Sequence, residues 1–226
     1  MSRVDRTWNE VALVQPSFGG QSSPVEDGLV RMDRLRFRAQ GVCVVPYLCR
    51  QDRAATSLRR LGEVGFAFFL IKDFDDDPGS ILRLLASCSI HRGVLEALDG
   101  KNHGLTREQA RLVSELLEVW PPPESVEALA KEMKVAQRTL RRRLAGAGLR
   151  PPRHLLRWMR LLHAVVLREL GIESRTSLAS LVGLGSPQTL ARLFGDLTGR
   201  PIRDVLGSVS SRELVPDFLL DVQSVS

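Results

Sequence analysis

The sequence predicts two domains of different class: a small α/β domain with a parallel sheet, then an all-α domain with two helix-turn-helix units joined by a long helix. Three observations carry this expectation. The first 90 residues alternate short β-branched or aromatic runs with segments whose apolar residues recur three and four apart. From Thr106 onward only the helical period remains. Within that second half, a short helix, a tight turn and a second helix rich in arginine or amide side chains occur twice. At 226 residues the chain is long enough to bury two modest cores. The expected division is a front domain over 1–90, a linker over 91–105, the helical domain over 106–207 and a C-terminal tail over 208–226.

In the front domain VALV (Val11 to Val14), VCVVPY (Val42 to Tyr47) and FAFFLIK (Phe66 to Lys72) read as strands, being too short for buried helices. VEDGLVRMDRLRFRA, QDRAATSLRRLGEV and DPGSILRLLASC follow them in turn and read as helices. Strand and helix in strict alternation predict a parallel sheet with right-handed crossovers. The acidic run DFDDDPG, Asp73 to Gly79, offers carboxylates of the kind that hold Mg²⁺, but between a strand and a helix it reads as the helix cap. Asp99-Gly100 and His103-Gly104 supply the turn chemistry of an interdomain joint.

The helical domain opens with TREQARLVSELLEVW, where Thr106 is the expected N-cap and Leu112, Val113, Leu116 and Leu117 the buried side. In ESVEALAKEMKVAQRTLRRRLAGAGL, Val126, Leu129, Ala130 and Met133 mark one short helix. Val135, Leu140 and Leu144 mark the buried side of the next, after a tight turn about Lys134. Gln137, Arg138, Arg141 and Arg142 fall on its solvent face, and the arginines, three or four apart, project together. Arg143 points elsewhere. PPRHLLRWMRLLHAVVLREL is one long amphipathic helix, a rigid spacer with Leu155, Trp158, Leu162 and Val166 inward and Arg153, Arg157 and Arg160 suited to phosphate. The second pair puts Leu178, Ala179, Leu181 and Val182 on its first helix and a turn at Gly183. Its second helix then has Leu190, Leu193 and Phe194 inward and Gln188, Thr189 and Arg192 outward.

Charge sharpens this picture. Residues 1–105 hold 14 basic and 13 acidic side chains, whereas Lys134 to Arg203 holds 14 basic and three acidic ones, Glu169, Glu173 and Asp196. A helical segment so biased expects a polyanionic partner, and double-stranded DNA matches it best: a helix of about 12 Å diameter fills the major groove, where arginine can give two hydrogen bonds to guanine. The longest apolar run, GFAFFLI, is far below the roughly 18 residues of a membrane span, so no membrane is expected. The first residues lack the apolar core and small-residue cleavage site of a secretory signal, which leaves a cytoplasmic address as the expectation, and bacterial cytosol fits it. Cys43, Cys49 and Cys88 form no C-x-x-C pair, and no P-loop, G-x-S-x-G or H-E-x-x-H occurs. Neither enzyme activity nor a cofactor nor a metal is expected.

LAKEMKVAQRTLRRRL, RWMRLLHAVVLREL and LASLVGLGSPQTLARLFGDLTGRPIRDVL together resemble the double helix-turn-helix domain of the AraC/XylS family of transcription regulators, over about 100 residues from Thr106 to Gly207. The resemblance implies seven helices, two recognition helices entering successive major-groove faces on one side of DNA, and control of transcription. Carried over by position, it implies base reading by Arg138, Arg141 and Arg142 in the first unit and by Pro187, Gln188, Thr189 and Arg192 in the second. Departures are Ala136 where the family favours a serine N-cap, Leu144, Leu184 and Leu190 in place of phenylalanines, and Gly195 and Asp196 where basic residues are usual. The last of these predicts a weaker grip on phosphate by the second unit. The sugar-binding β-barrel of some family members has no counterpart here, so its ligands are not carried over.

The front domain resembles the later half of a response-regulator receiver, beginning at its third strand. Gln15 stands where the phosphate-accepting aspartate would be, Lys72 matches the lysine that ends the fifth strand, and the acidic metal-binding pair has no counterpart. An amide cannot be phosphorylated, so the resemblance implies a degenerate receiver used for packing or for homodimerisation. RNA polymerase is a further expected partner. The rival reading is a signalling or scaffold protein that acts through protein contacts of the front domain, its basic half serving only solubility.

Overall fold

The computed structural model describes residues 10–14, 42–48, 69–74, 77–99, 104–117, 119 and 122–223. Among them are three strands, β1 (Glu10–Val14), β2 (Val42–Leu48) and β3 (Leu70–Ile71), and nine helices. The helices are α1 (Pro78–Asp99), α2 (Arg107–Leu117), α3 (Val126–Glu132), α4 (Gln137–Gly146), α5 (Pro152–Glu169), α6 (Arg175–Leu181), α7 (Pro187–Thr198), α8 (Ile202–Ser208) and α9 (Ser211–Asp221). The fold is thus mostly helical with a small parallel sheet. It divides into two compact units, Met1–Ile81 and Leu82–Ser226.

In the first unit the strands lie in the order β1-β2-β3 and all pair in parallel. Pro46, which has no N–H to give, sits where pairing passes from one neighbour to the other: Val14 is opposite Pro46, and Tyr47 is opposite Leu70. Val44, Val45 and Leu48 are buried, as is Leu70. The Lys72 N–H extends the ladder to the carbonyl of Leu48 at 2.8 Å, and its side chain is exposed. Asp77 of the acidic run accepts from the Ser80 N–H at 3.0 Å, which caps the first turn of α1. The two helices expected between the strands, and Gln15, lie outside the described residues.

The second unit is organised around α5. Twelve of its 18 residues are buried, from Pro152 to Leu167, because α3, α4, α6, α7, α8 and α9 all pack against it. The expected spacer with one inward stripe is therefore a central helix covered on most sides. Trp158 is buried against Phe218 of α9, ring centroids 5.9 Å apart.

Two boundaries differ from those expected. Residues 91–99, expected to open the linker, continue α1. Ala86, Ile90 and Val94, four residues apart, form one buried stripe that carries the helix across this stretch to Asp99. The expected tail over 208–226 contains α9, whose Leu214, Val215, Phe218 and Leu219 are buried. A reciprocal cap starts it, Glu213 N–H to Ser210 Oγ at 3.3 Å and Ser210 N–H to Glu213 Oε2 at 2.9 Å. It runs back along α5, tied at both ends. Ser211 donates through N–H (2.7 Å) and Oγ (2.9 Å) to Glu169, and Asp221 accepts from Trp158 Nε1 at 2.7 Å with His154 Nε2 also at 2.7 Å.

Four helices, α3 to α6, end in the same way. A left-handed residue follows the cap, and two backbone bonds close the turn, such as Leu184 N–H to Ala179 O at 2.8 Å with Gly183 N–H to Ser180 O at 3.1 Å. Glycine occupies that left-handed position at 148, 171 and 183, but after α3 it is Lys134, at φ 54°.

Candidate nucleic-acid interface

The pairs α3–α4 and α6–α7 share one local design. After α3, the Val135 N–H reaches Ala130 O at 3.0 Å; after α6, the Leu184 N–H reaches Ala179 O at 2.8 Å. Each ties the backbone of an apolar residue beyond the turn to that of an alanine in the preceding helix, and the chain then enters the second helix of the pair. Ser125, Ser174 and Ser186 cap α3, α6 and α7 through their hydroxyls. Ala136, preceding α4, makes no such bond, a loss of about 1 kcal/mol relative to serine.

Leu140 and Leu144 of α4, and Leu190, Leu193 and Phe194 of α7, are buried and orient both helices. On the outer side, Arg138, Arg141 and Arg142 are exposed and Gln137 is half-buried. On α7, Gln188, Thr189 and Arg192 are exposed, and Pro187 is half-buried in the first turn. The Thr189 N–H donates to Ser186 Oγ at 3.2 Å, and the two hydroxyls lie 3.0 Å apart, so Thr189 is engaged in its own helix cap.

Ion pairing separates the arginines into two groups. Arg143 pairs with Glu115 at 3.2 Å, Arg150 with Asp221 at 3.2 Å, Arg168 with Glu173 at 3.3 Å and Arg203 with Asp204 at 3.1 Å. Arg138, Arg141, Arg142, Arg153 and Arg192 have no carboxylate partner among the described residues. Arg157 differs from the expectation of an available phosphate contact, because its guanidinium holds Asp196 of α7. Arg160 differs further: its Nη2 donates at 2.8 Å to the carbonyls of both Pro123 and Glu124. Burial lowers its pKa, opposed by the Glu124 carboxylate, and its Nε has no hydrogen-bond partner. It fastens the segment before α3 to α5.

A groove of about 900 Å³ runs between the start of α3, the first half of α5 and the outer side of α7. It brings Arg153, Arg157, Thr189 and Arg192 together with Arg150 and Arg160, opposed by the two carboxylates of Glu124 and Asp196. Gln137, Arg138, Arg141, Arg142, Pro187 and Gln188 do not line it. Arg150, His154 and Glu124 also line this place, and Asp221 holds Arg150 and His154, none of which the sequence had marked as a site residue. Burial pushes the Asp221 carboxyl up, but hydrogen bonds from Trp158 and His154, with the charges of His154 and Arg150, hold it below its ordinary value. A charged Asp221 thus anchors the end of α5 from which Arg153 and Arg157 project. Its partners lie 63 to 71 residues earlier, a distance at which no local spacing signals contact.

No described helix is long and apolar enough to cross a membrane. No protein-family model, curated protein or solved structure matches the chain.

Proposed function

We propose that this protein is a sequence-specific, double-stranded-DNA-binding transcription regulator of the AraC/XylS kind, acting in the bacterial cytoplasm. The observation that carries the reading is the division of the arginines. Those at 138, 141, 142, 153 and 192 are exposed and free of carboxylates among the described residues, while Arg143, Arg150, Arg168 and Arg203 are neutralised within the fold. Exposed unpaired guanidinium groups at helical spacing are matched by a partner with regularly placed anionic and acceptor groups.

In this reading α4 and α7 are recognition helices, each held by leucines to α5 and offering arginine or amide groups to base edges about one helical turn apart. The groove formed by α7, the first half of α5 and the start of α3 receives the adjoining sugar-phosphate backbone on Arg153 and Arg192, releasing counterions. The front unit, with parallel strands in sequential order, serves as a degenerate receiver-like module for homodimerisation, and RNA polymerase is a further partner. Selection of a random duplex pool by the full-length protein tests the reading. Enrichment of two short motifs about 10 base pairs apart is expected. Unselective retention, equally displaced by heparin, refutes it.

A further inference from the structure

We infer that Asp196 is a built-in competitor for DNA phosphate, holding Arg157 in the free protein and so lowering the affinity of the groove for duplex backbone. The inference rests on the proposed function and names a residue that tunes it.

Lys134 to Arg203 contains three carboxylates, and two have duties away from the groove. Glu169 accepts from the Ser211 N–H and hydroxyl at the start of α9, and Glu173 pairs with Arg168. Asp196 alone of the three lines the groove, where its Oδ2 meets Nη2 of Arg157. It sits in the last turns of α7, an unfavourable place for a negative charge in a helix, so local helix electrostatics give no reason for it. Arg192, one turn earlier on α7 and in the same groove, has no carboxylate partner among the described residues. A carboxylate offers guanidinium the same geometry of acceptors as a phosphate. Since the pair is only partly covered, with side chains 33% and 49% exposed, phosphate can replace the carboxylate without opening the core.

The test is binding of the full-length protein to its selected duplex across a salt series, for wild type, Asp196→Asn, Arg157→Ala and the double variant. Asp204→Asn removes the same charge outside the groove, where Asp204 pairs with its neighbour Arg203. Asp196→Asn is expected to tighten binding by about three- to tenfold and to steepen the slope of log K against log salt by up to about 0.9. The gain is expected to vanish in the Arg157→Ala background, with Asp204→Asn changing affinity less than about twofold. An equal gain with Arg157 absent, an equal gain from Asp204→Asn, or no gain overturns the inference while leaving DNA binding intact. Failure of wild type and every variant to bind any duplex overturns both the inference and the function it rests on.

Discussion

The hydroxyl of Ser87 lies 3.0 Å from Nε2 of His163, and the other ring nitrogen of His163 lies 2.6 Å from the carbonyl oxygen of Met159. A carbonyl only accepts, so Nδ1 carries the proton and Nε2 accepts from Ser87. The ring is neutral, and this contact joins α1 to the middle of α5 inside the core, where both residues are buried.

Acid sensitivity follows. Burial lowers the His163 pKa from 6.5 to about 4, the Met159 bond opposing it only in part. Between these values the unfolded chain binds a proton that the folded chain does not, so stability is full above about pH 6.5 and falls as pH drops toward 4, by about 3 kcal/mol in all. His91 is shifted the same way by burial and adds to the slope. Glu169, raised by burial against the bonds from Ser211, acts in the opposite sense, and Asp221 weakens the fold only below its ordinary 3.8. Urea unfolding at pH 7 and pH 5 measures the loss. His163→Leu is expected to be less stable at pH 7, because Ser87 loses its acceptor, and to show a smaller pH dependence; an unchanged dependence rejects the assignment.

The left-handed Lys134 yields a second prediction. Glycine takes this conformation at the same place after α4, α5 and α6, so Lys134 carries a steric cost of about 1 to 2 kcal/mol that they avoid. Part of the gain from replacing it returns as unfolded-chain entropy. Lys134→Gly should therefore stabilise the protein by about 0.5 to 1 kcal/mol. Gly183→Ala should destabilise by about 1 kcal/mol through conformation alone, since its new Cβ would meet Pro122 O at 3.9 Å and Glu124 Cγ at 4.0 Å, ordinary contacts. Thermal midpoints of the two variants moving in the same direction would contradict this.

Arg160 supports a third. Removing its guanidinium leaves the Pro123 and Glu124 carbonyls without their donor, a cost of about 1 to 3 kcal/mol, and frees the segment before α3 from α5. Arg160→Ala should lower stability by that amount in urea. On DNA it should weaken a duplex bearing both motifs more than a duplex bearing one, since it loosens one helix pair against the other. Equal weakening on both would make Arg160 a direct phosphate contact.

What was legible in the sequence follows the range of the interactions. Leu140 and Leu144, or Leu190, Leu193 and Phe194, announce their burial by spacing alone, and Trp158 reads correctly as core. The continuation of α1 is also written at four-residue intervals in Ala86, Ile90 and Val94, but the turn pairs Asp99-Gly100 and His103-Gly104 drew the boundary too early. The tail expected over 208–226 likewise passed over α9, although Ser210 and Glu213 at capping-box spacing mark its start and Pro216 lies inside it. By contrast, Arg157 to Asp196 spans 39 residues and Arg160 to its carbonyls 36 and 37, so no periodicity connects them. The expected α5 spacer was misjudged for the same reason: a helix covered on several faces reads as amphipathic when its neighbours are unknown.

The exposed arginines of α4 carry the last prediction. Arg138, Arg141 and Arg142 have neither buried contacts nor carboxylate partners among the described residues, so their removal should leave stability within about 0.5 kcal/mol. Arg141→Ala or Arg142→Ala should nevertheless weaken binding to the selected duplex by about 1 to 3 kcal/mol if the lost contact is to a base. In that case binding to a scrambled duplex changes much less, and the salt slope stays nearly constant. A phosphate contact predicts another signature, with equal loss on both duplexes and a slope shallower by about 0.9. Arg143→Ala is the internal contrast: its pairing with Glu115 predicts a modest stability change and little effect on DNA. Titrating these variants against both duplexes at two salt concentrations separates base reading from charge, and an Arg143→Ala defect as large as that of Arg141→Ala would deny α4 its outward-facing role.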